Sequence, residues 1–248
     1  MDLLLEATFR AERDHFWFRG FRQFVGPLLE EVAAGQPGAL LLDCGCGTGV
    51  NLTLLRRYGR AIGVDLTMRG LQFGRARGER LLGQADAACL PFPASRFDGL
   101  TSFDVLYSLD DEAELAAWRE MARVLKPGGW LIVNVAALPI LRGNHSVLAL
   151  ERRRYTKRLL LDRLSRSGFA PVRITYTNAS LFPLVLATRL AQRLRGFAES
   201  AHDATAEIAV PHPLVNGTLS ALLSLEARLL KHVSMPVGSS LLCLARKM

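Results

Sequence analysis

Leu41-Leu42-Asp43-Cys44-Gly45-Cys46-Gly47-Thr48-Gly49 is the stretch on which the fold turns. An apolar run from Ala39 to Leu42 ends in an acid and then in three glycines separated by single residues, and a helical pattern from Val50 to Tyr58 follows. That order describes a buried strand turning sharply into a helix. Glycine has no Cβ, so such a turn can enter left-handed conformations and lie close against a ligand, while the free N–H groups of the helix start add partial positive charge. A nucleoside-like ligand is expected. The spacing G-x-G-x-G is not the dinucleotide fingerprint G-x-G-x-x-G, and no Lys-Ser/Thr pair follows to make a phosphate loop. A glycine-rich turn without a ligand is the alternative that the surrounding unit must exclude.

The surrounding unit repeats the pattern. Gly59 suits a helix C-terminus, and Arg60 to Asp65 reads as a second strand ending in an acid, which in nucleotide-binding α/β folds accepts from ribose hydroxyls. Gln84-Ala85-Asp86-Ala87 ends a third short strand and Phe97 to Phe103 forms a fourth. Helical spacing from Glu112 to Leu125 stops at Lys126-Pro127-Gly128-Gly129, and a strand from Trp130 to Val135 follows. Alternating strands and helices predict a parallel sheet covered on both faces, with each acid at a carboxyl end, where open α/β sheets bind ligands.

Leu42 to Gly49, Gly63-Val64-Asp65, Ala85-Asp86, Leu90-Pro91-Phe92, Phe97-Asp98 and Leu125 to Gly129 fall in the order and spacing of the class I S-adenosylmethionine-dependent methyltransferases. Across about residues 38 to 136 the chain resembles the type 11-like bacterial group of that family. The resemblance implies a Rossmann-like, seven-stranded, mostly parallel sheet with helices on both faces. It implies S-adenosylmethionine as methyl donor and S-adenosylhomocysteine as product. It assigns Asp43, Gly45, Cys46, Gly47, Gly49, Asp65, Leu66, Asp86, Ala87 and Phe103 to the cofactor site. The three glycines would face the methionine moiety and ribose, Asp65 the ribose hydroxyls, Leu66 the adenine ring, and Asp86 and Ala87 the adenine amino edge. No metal site is expected.

Outside the nucleotide unit the chain is more individual. Three regions are expected: an N-terminal helical and aromatic lid (1–37), the cofactor-binding core (38–177 and 239–248) and a helical insertion (178–238) before the last strand. His15 to Arg22 holds four aromatics and two arginines, which suits a lid that excludes water or an amphipathic helix packed on the sheet. Val172 to Asn178 and Ser240 to Ala245 suit the sixth and seventh strands, with helical patterns at Leu181 to Ala198 and Leu214 to His232 between them. The basic amphipathic stretch 181–195 suits an anionic membrane surface, although a substrate cap or homodimer interface is the more ordinary fate of such a helix.

The net charge is +8, concentrated between Arg142 and Arg195, where twelve Lys or Arg residues meet only Glu151 and Asp162. That field could attract an anionic substrate, a carrier protein, a membrane or nucleic acid; without interleaved aromatics nucleic acid is disfavoured. Thr156 is placed to cap a helix running to Ser167. The four cysteines lack zinc-type pairing and read as small buried fillers in a reducing, cytoplasmic setting. The charged first eighteen residues do not read as a signal peptide, and no run of about 18 apolar residues could span a bilayer.

Methyl transfer from a sulfonium is an in-line displacement in which positioning can supply up to about 7–11 kcal/mol, with a general base required only for an acceptor that keeps its proton. Where type 11 relatives place an acid-histidine pair after the fourth strand, this chain has Tyr107-Ser108. His145, in Gly143-Asn144-His145-Ser146, is therefore the first candidate base, followed by His15 and Tyr107. The expected function is methyl transfer to a small-molecule acceptor, anionic or lipid-like, with an RNA or protein methyltransferase, or a non-methylating S-adenosylmethionine-binding protein, as alternatives.

Overall fold

A computed structural model describes residues 2–34, 38–144, 146, 150–195 and 208–248. Their centre is a seven-stranded sheet in the order β3-β2-β1-β4-β5-β7-β6. β1 (Leu40–Cys44), β2 (Arg60–Asp65), β3 (Leu82–Gln84), β4 (Phe97–Phe103) and β5 (Leu125–Ala136) run parallel, whereas β7 (Ser240–Lys247) is inserted antiparallel between β5 and β6 (Phe169–Thr177). Successive residues of β1 and β4 are buried on both faces, as a sheet sandwiched between helices requires. One core includes Trp118, Leu125, Leu160 and Phe169, and the other Val25, Leu29, Leu55 and Leu223.

The strand order reverses direction between β1 and β4, so the loops after these two strands diverge and leave a crevice at the carboxyl edge. The turn after β1 occupies that crevice. The Lys126-Pro127-Gly128-Gly129 segment lies inside β5, as a bulge that shifts the β4–β5 register between Phe97 and Gly99, with Gly128 at φ 71°. β3 is displaced from the reading of its sequence: it ends at Gln84, and Asp86 instead pairs with Cys89 in an isolated bridge. This turn leaves Cys89 exposed while the other three free cysteines are buried, so the reading of all four as buried fillers fails at Cys89.

Eight α-helices are present among the described residues. α3 (Val50–Leu55), α4 (Met68–Ala76), α5 (Asp111–Val124) and α6 (Lys157–Arg166) flank the sheet. Asp110 caps α5 by accepting from Ala113 N at 2.8 Å, and Thr156 caps α6 by accepting from Leu159 N at 3.2 Å. Four helices lie outside this frame: α1 (Asp2–Ala11), α2 (Phe16–Ala33), α7 (Phe182–Arg195) and α8 (Pro213–Leu230). α2 and α8 approach closely where Gly20 faces Leu223; a Cβ on Gly20 would come within 2.5 Å of Leu223 Cδ1. Asn216 of α8 ties the pair, accepting from Phe16 N at 2.8 Å and donating to Asp14 O at 2.9 Å. The buried Glu226 of α8 accepts from Ala179 N and Ser180 N, both at 2.9 Å, just ahead of α7. The segments before β1 and between β6 and β7 thereby brace one another above the carboxyl edge.

Among the described residues, no helix is long and apolar enough to cross a membrane.

Candidate active site

The carboxyl edge opens into a cavity of about 560 Å³ lined from the glycine turn, the ends of β2 and β4, the N-terminal helices and α7. This size falls within the usual ligand-site range of about 300–1,000 Å³. Gly45, Gly47 and Gly49 have φ of 84°, 51° and 74°, conformations that side chains on L-residues disfavour. A Cβ at Gly45 would lie 2.1 Å from Val105 Cγ2, so this glycine lets the segment after β4 close on the turn. A Cβ at Gly47 would meet nothing nearer than Leu5 at 4.0 Å, which leaves room for a ligand against that amide. Gly49 faces away from the cavity, toward Glu79 and Gly74.

Asp65 holds the turn in shape. Its Oδ2 accepts from Gly47 N at 2.8 Å and its Oδ1 from Thr67 N at 2.8 Å. A carboxylate offers about four lone-pair sites, so acceptor capacity remains for a ribose hydroxyl. Leu66, 61% exposed, offers an apolar surface beside it. Asp86 and Ala87 stand further along the same wall, with Asp86 Oδ1 accepting from Ala88 N at 2.8 Å. Phe103 closes the floor and meets Phe21 of α2 edge-on at 4.9 Å. Open space at Gly47, a carboxylate with acceptor capacity to spare and an apolar shelf beside it are features that S-adenosylmethionine fits.

Asp43 lies behind this wall, fully buried. It accepts from Thr101 Oγ1 at 2.7 Å, its Oδ2 has no partner among the described residues, and burial pushes its carboxyl up to about 7. Of the ten residues expected to hold the cofactor, Gly45, Cys46, Gly47, Asp65, Leu66, Asp86, Ala87 and Phe103 line the cavity, while Asp43 and Gly49 support the turn from beneath.

The N-terminal helices are fastened over this end. Glu12, between α1 and α2, is 2% exposed; its two carboxylate oxygens lie 2.6 and 2.7 Å from the Thr48 hydroxyl in the glycine turn, and it pairs with the equally enclosed Arg77. Desolvation nevertheless raises the Glu12 carboxyl, outweighing Thr48 and Arg77. Phe9 stacks on Phe73 with ring centroids 4.4 Å apart, and the Arg77 guanidinium lies 4.4 Å over Phe9.

Two of the three candidate bases also line the cavity. His15 caps α2, accepting from Trp17 N through Nδ1 at 3.2 Å, and burial lowers its proton affinity. Tyr107 is almost wholly buried and its hydroxyl is pushed well above its ordinary value, chiefly by desolvation, so it offers a proton donor rather than a base at neutral pH. His145 lies outside the described residues.

Three cavity residues escaped the sequence reading: Asp104, Glu151 and Arg154. Asp104 follows β4 at φ 61° and accepts from Asn134 Nδ2 at 3.0 Å. Protein surrounds it deeply, yet its side chain is exposed to the open cavity. Desolvation raises its carboxyl to about 7, helped by Glu151 and opposed by Asn134 and Arg154. The segment 151–155 reaches the site because Arg152 N and Arg153 N donate to Tyr107 O at 2.9 and 3.2 Å, and Tyr155 N donates to Ala136 O at 2.8 Å. Glu151 and Arg154 are buried together, their charged groups 2.5 Å apart. The sequence placed Glu151 and Arg154 in a basic surface field; the fold turns them inward. Other arginines of that field are also engaged, Arg153 with Asp111, Arg163 with Glu114 and Arg166 with Asp162.

Among the described residues no cluster of three His, Cys, Asp or Glu could hold a metal ion.

Known proteins agree with this architecture. Residues 42–133 match the protein family described as "Methyltransferase domain". A demethylmenaquinone methyltransferase of Corynebacterium kroppenstedtii is 33% identical over 129 residues, 52% of each chain. A probable tRNA methyltransferase 9B of Bos taurus is 33% identical over 134 residues, 54% of this chain and 29% of that protein. The chain thus spans about half of the first relative and under a third of the second. Among solved structures, the [4+2]-cyclase SpnF superposes with a TM-score of 0.57 at 24% identity, over 91% of this chain and 80% of that one, a likeness of fold.

Proposed function

We propose that this chain, whose residues 42–133 are a methyltransferase domain of the class I, S-adenosylmethionine-dependent type, transfers a methyl group to a small, largely apolar acceptor held beneath its N-terminal helices. The observation that carries this reading is the continuity of the cavity. The glycine turn and Asp65 line the same chamber as Asp104, Val105, Tyr107, Leu109, Val185 and Ile208, with Val105 packed directly on Gly45. Bound there, S-adenosylmethionine supplies an electrophilic methyl group. The chain's own contribution is to orient the donor with Asp65 and the turn, to exclude water with Phe16, Trp17, Phe18 and Phe21, and to seat the acceptor's nucleophile in line. Positioning of this kind can account for about 7–11 kcal/mol of a barrier in ideal cases.

The roofed, aromatic chamber supports a lipid-like small molecule, in keeping with the quinone in the name of one relative. The engagement of Arg153, Arg154, Arg163 and Arg166 with acids weakens the case for an extended polyanion. α7 leaves Leu184, Leu190 and Leu194 exposed beside Arg193, a surface suited to an anionic membrane that would deliver such an acceptor. The buried free thiols suit the reducing cytoplasm.

Calorimetry with S-adenosylmethionine and S-adenosylhomocysteine is the first test. Both should bind in the micromolar range to the native chain and neither to Asp65→Ala; absence of binding to the native chain overturns the reading. Labelled-methyl transfer into cell extracts, separated into lipid, small polar, RNA and protein fractions, then tests the acceptor. Label confined to RNA or protein would refute a small-molecule acceptor, and salt-dependent binding to anionic vesicles checks the α7 surface.

A further inference from the structure

Asp104 is a carboxylate aimed into a ligand chamber with little to balance it. Its Oδ1 accepts from Asn134 Nδ2, and among the described residues no cation pairs with it. Arg154, whose charge acts on Asp104, is committed to Glu151 and to Ala137 O at 2.9 Å. The backbone at Asp104 is strained into the left-handed region at φ 61°, a conformation costly for a non-glycine residue. It is held there by Asp104 N donating to Asn134 O at 3.0 Å and by Val105 packing on Gly45. The strain therefore presents a carboxylate beside the glycine turn, where the donor's reactive end would lie. Other charged or titratable groups around the chamber are His15 at the cap of α2, Arg22 of α2, Glu12, Tyr107, Glu151, Arg154 and Arg189, with Asp65, Asp86, Cys44 and Cys46 in its wall and Asp43 beneath the turn.

Resting on the cofactor reading above, we propose that Asp104 senses the charge of the bound donor: its carboxylate balances the sulfonium before transfer and accepts the nucleophile's proton once that charge is gone. The balance is complete. The acceptor's lone pair forms the new bond to the methyl carbon, the S–CH3 pair returns to sulfur to leave a neutral thioether, and the proton of the acceptor X–H passes to Asp104. The sulfonium lowers the proton affinity of Asp104; its loss restores that affinity as the acceptor becomes acidic. Acceptors that keep their proton at neutral pH, such as hydroxyls, are the class this arrangement serves.

Desolvation pushes the Asp104 carboxyl up to about 7 in the free chain, so the protonated form gains below that pH and the ionised form above it. A cationic ligand favours the ionised form, whereas the neutral thioether does not. The ratio of affinities for S-adenosylmethionine over S-adenosylhomocysteine should therefore rise about tenfold between pH 6 and pH 8, because a ligand that binds only the ionised form gains with its fraction. Taking the ratio cancels the amino-acid and adenosine groups that the two ligands share.

Isothermal calorimetry at pH 6, 7 and 8, in buffers of different ionisation enthalpy, reads both the ratio and the protons released. In the native chain the ratio should climb, with proton release on binding S-adenosylmethionine near pH 7. In Asp104→Asn the ratio should be flat while S-adenosylhomocysteine still binds. Asn134→Leu, which removes the donor that favours the ionised form, should move the midpoint to higher pH without abolishing it. A flat ratio in the native chain, or a rising ratio that survives in Asp104→Asn, overturns the inference and leaves cofactor binding standing. Failure of the native chain to bind either ligand overturns the cofactor reading and this inference with it. If Asp104→Asn does not fold, the native ratio and the direction of the Asn134→Leu shift decide the matter.

Discussion

Replacing Arg77 by Met removes the cation from a pair that fastens the N-terminal helices to the glycine turn. Arg77 and Glu12 have side chains only 6% and 2% exposed, so solvent cannot compensate the carboxylate left behind. Removing one partner of a buried pair costs about 3–5 kcal/mol, against a total stability of about 5–15 kcal/mol for a domain. At about 2–4 °C per kcal/mol for a chain of this size, the melting temperature should fall by about 6–20 °C. Met retains much of the apolar packing on Phe9, so the loss reports mainly on charge. Desolvation already raises the Glu12 carboxyl despite Arg77, and without Arg77 it rises further. A carboxyl whose folded proton affinity exceeds its unfolded one stabilises the fold most below the unfolded value, and that stabilisation is lost as pH climbs through the folded value. The deficit of Arg77→Met should accordingly shrink on acidification and grow toward neutrality. The double variant Glu12→Gln/Arg77→Met leaves no buried charge and keeps a partner for Thr48, so it should recover to within about 1–2 kcal/mol of the native chain. Scanning calorimetry measures the global effect, and hydrogen exchange across residues 2–34 shows whether the opening is local. A fall below about 2 °C, or a double variant no more stable than the single one, would refute the reasoning.

Other perturbations probe separate links. Asp65→Ala removes the acceptor from Gly47 N and Thr67 N as well as from ribose; with charged hydrogen bonds contributing about 1.5–3 kcal/mol each, cofactor affinity should drop by at least about a hundredfold in calorimetry. Gly45→Ala places a Cβ 2.1 Å from Val105 Cγ2 at φ 84°; it should abolish binding, and adding Val105→Ala should restore it only in part, since the left-handed backbone alone costs about 1–2 kcal/mol. Full recovery in that double variant would mean that φ is unimportant there. Glu226→Ala strips the acceptor from Ala179 N and Ser180 N ahead of α7. Limited proteolysis should then cut within α7 while S-adenosylhomocysteine affinity changes less than about threefold; unchanged resistance would show that α7 does not depend on this cap.

Local chemistry made the core legible. Alternation of buried strands and amphipathic helices announces a parallel sheet, glycines at single-residue spacing announce a left-handed turn, and Asp65 at a strand end announces a carboxylate at the ligand edge. These signals need only a few neighbouring residues, which is why β1, β2 and β4 fall where the pattern puts them. The shift at β3 and the bulge in β5 come from pairing with partners distant in sequence, which local propensity does not record. Cys89 is exposed for a local reason: it closes a tight turn in which its N–H donates to Asp86 O at 3.0 Å.

The acceptor side depended on contacts that no spacing predicts. Glu12 meets Thr48 and Arg77 across separations of 36 and 65 residues, and Asn216 meets Phe16 across 200. Asp104 reads in the chain as one more acid after a strand, and Arg154 as one of a basic run. Only when Asn134, Val105 and the 151–155 segment converge does the first become a carboxylate that faces a cavity with no paired cation among the described residues, and the second a buried partner of Glu151. Strand, turn and donor site rest on short-range sterics and hydrogen bonding and are written in consecutive residues. Burial, and with it charge state and chemical role, is a property of what long-range packing brings alongside.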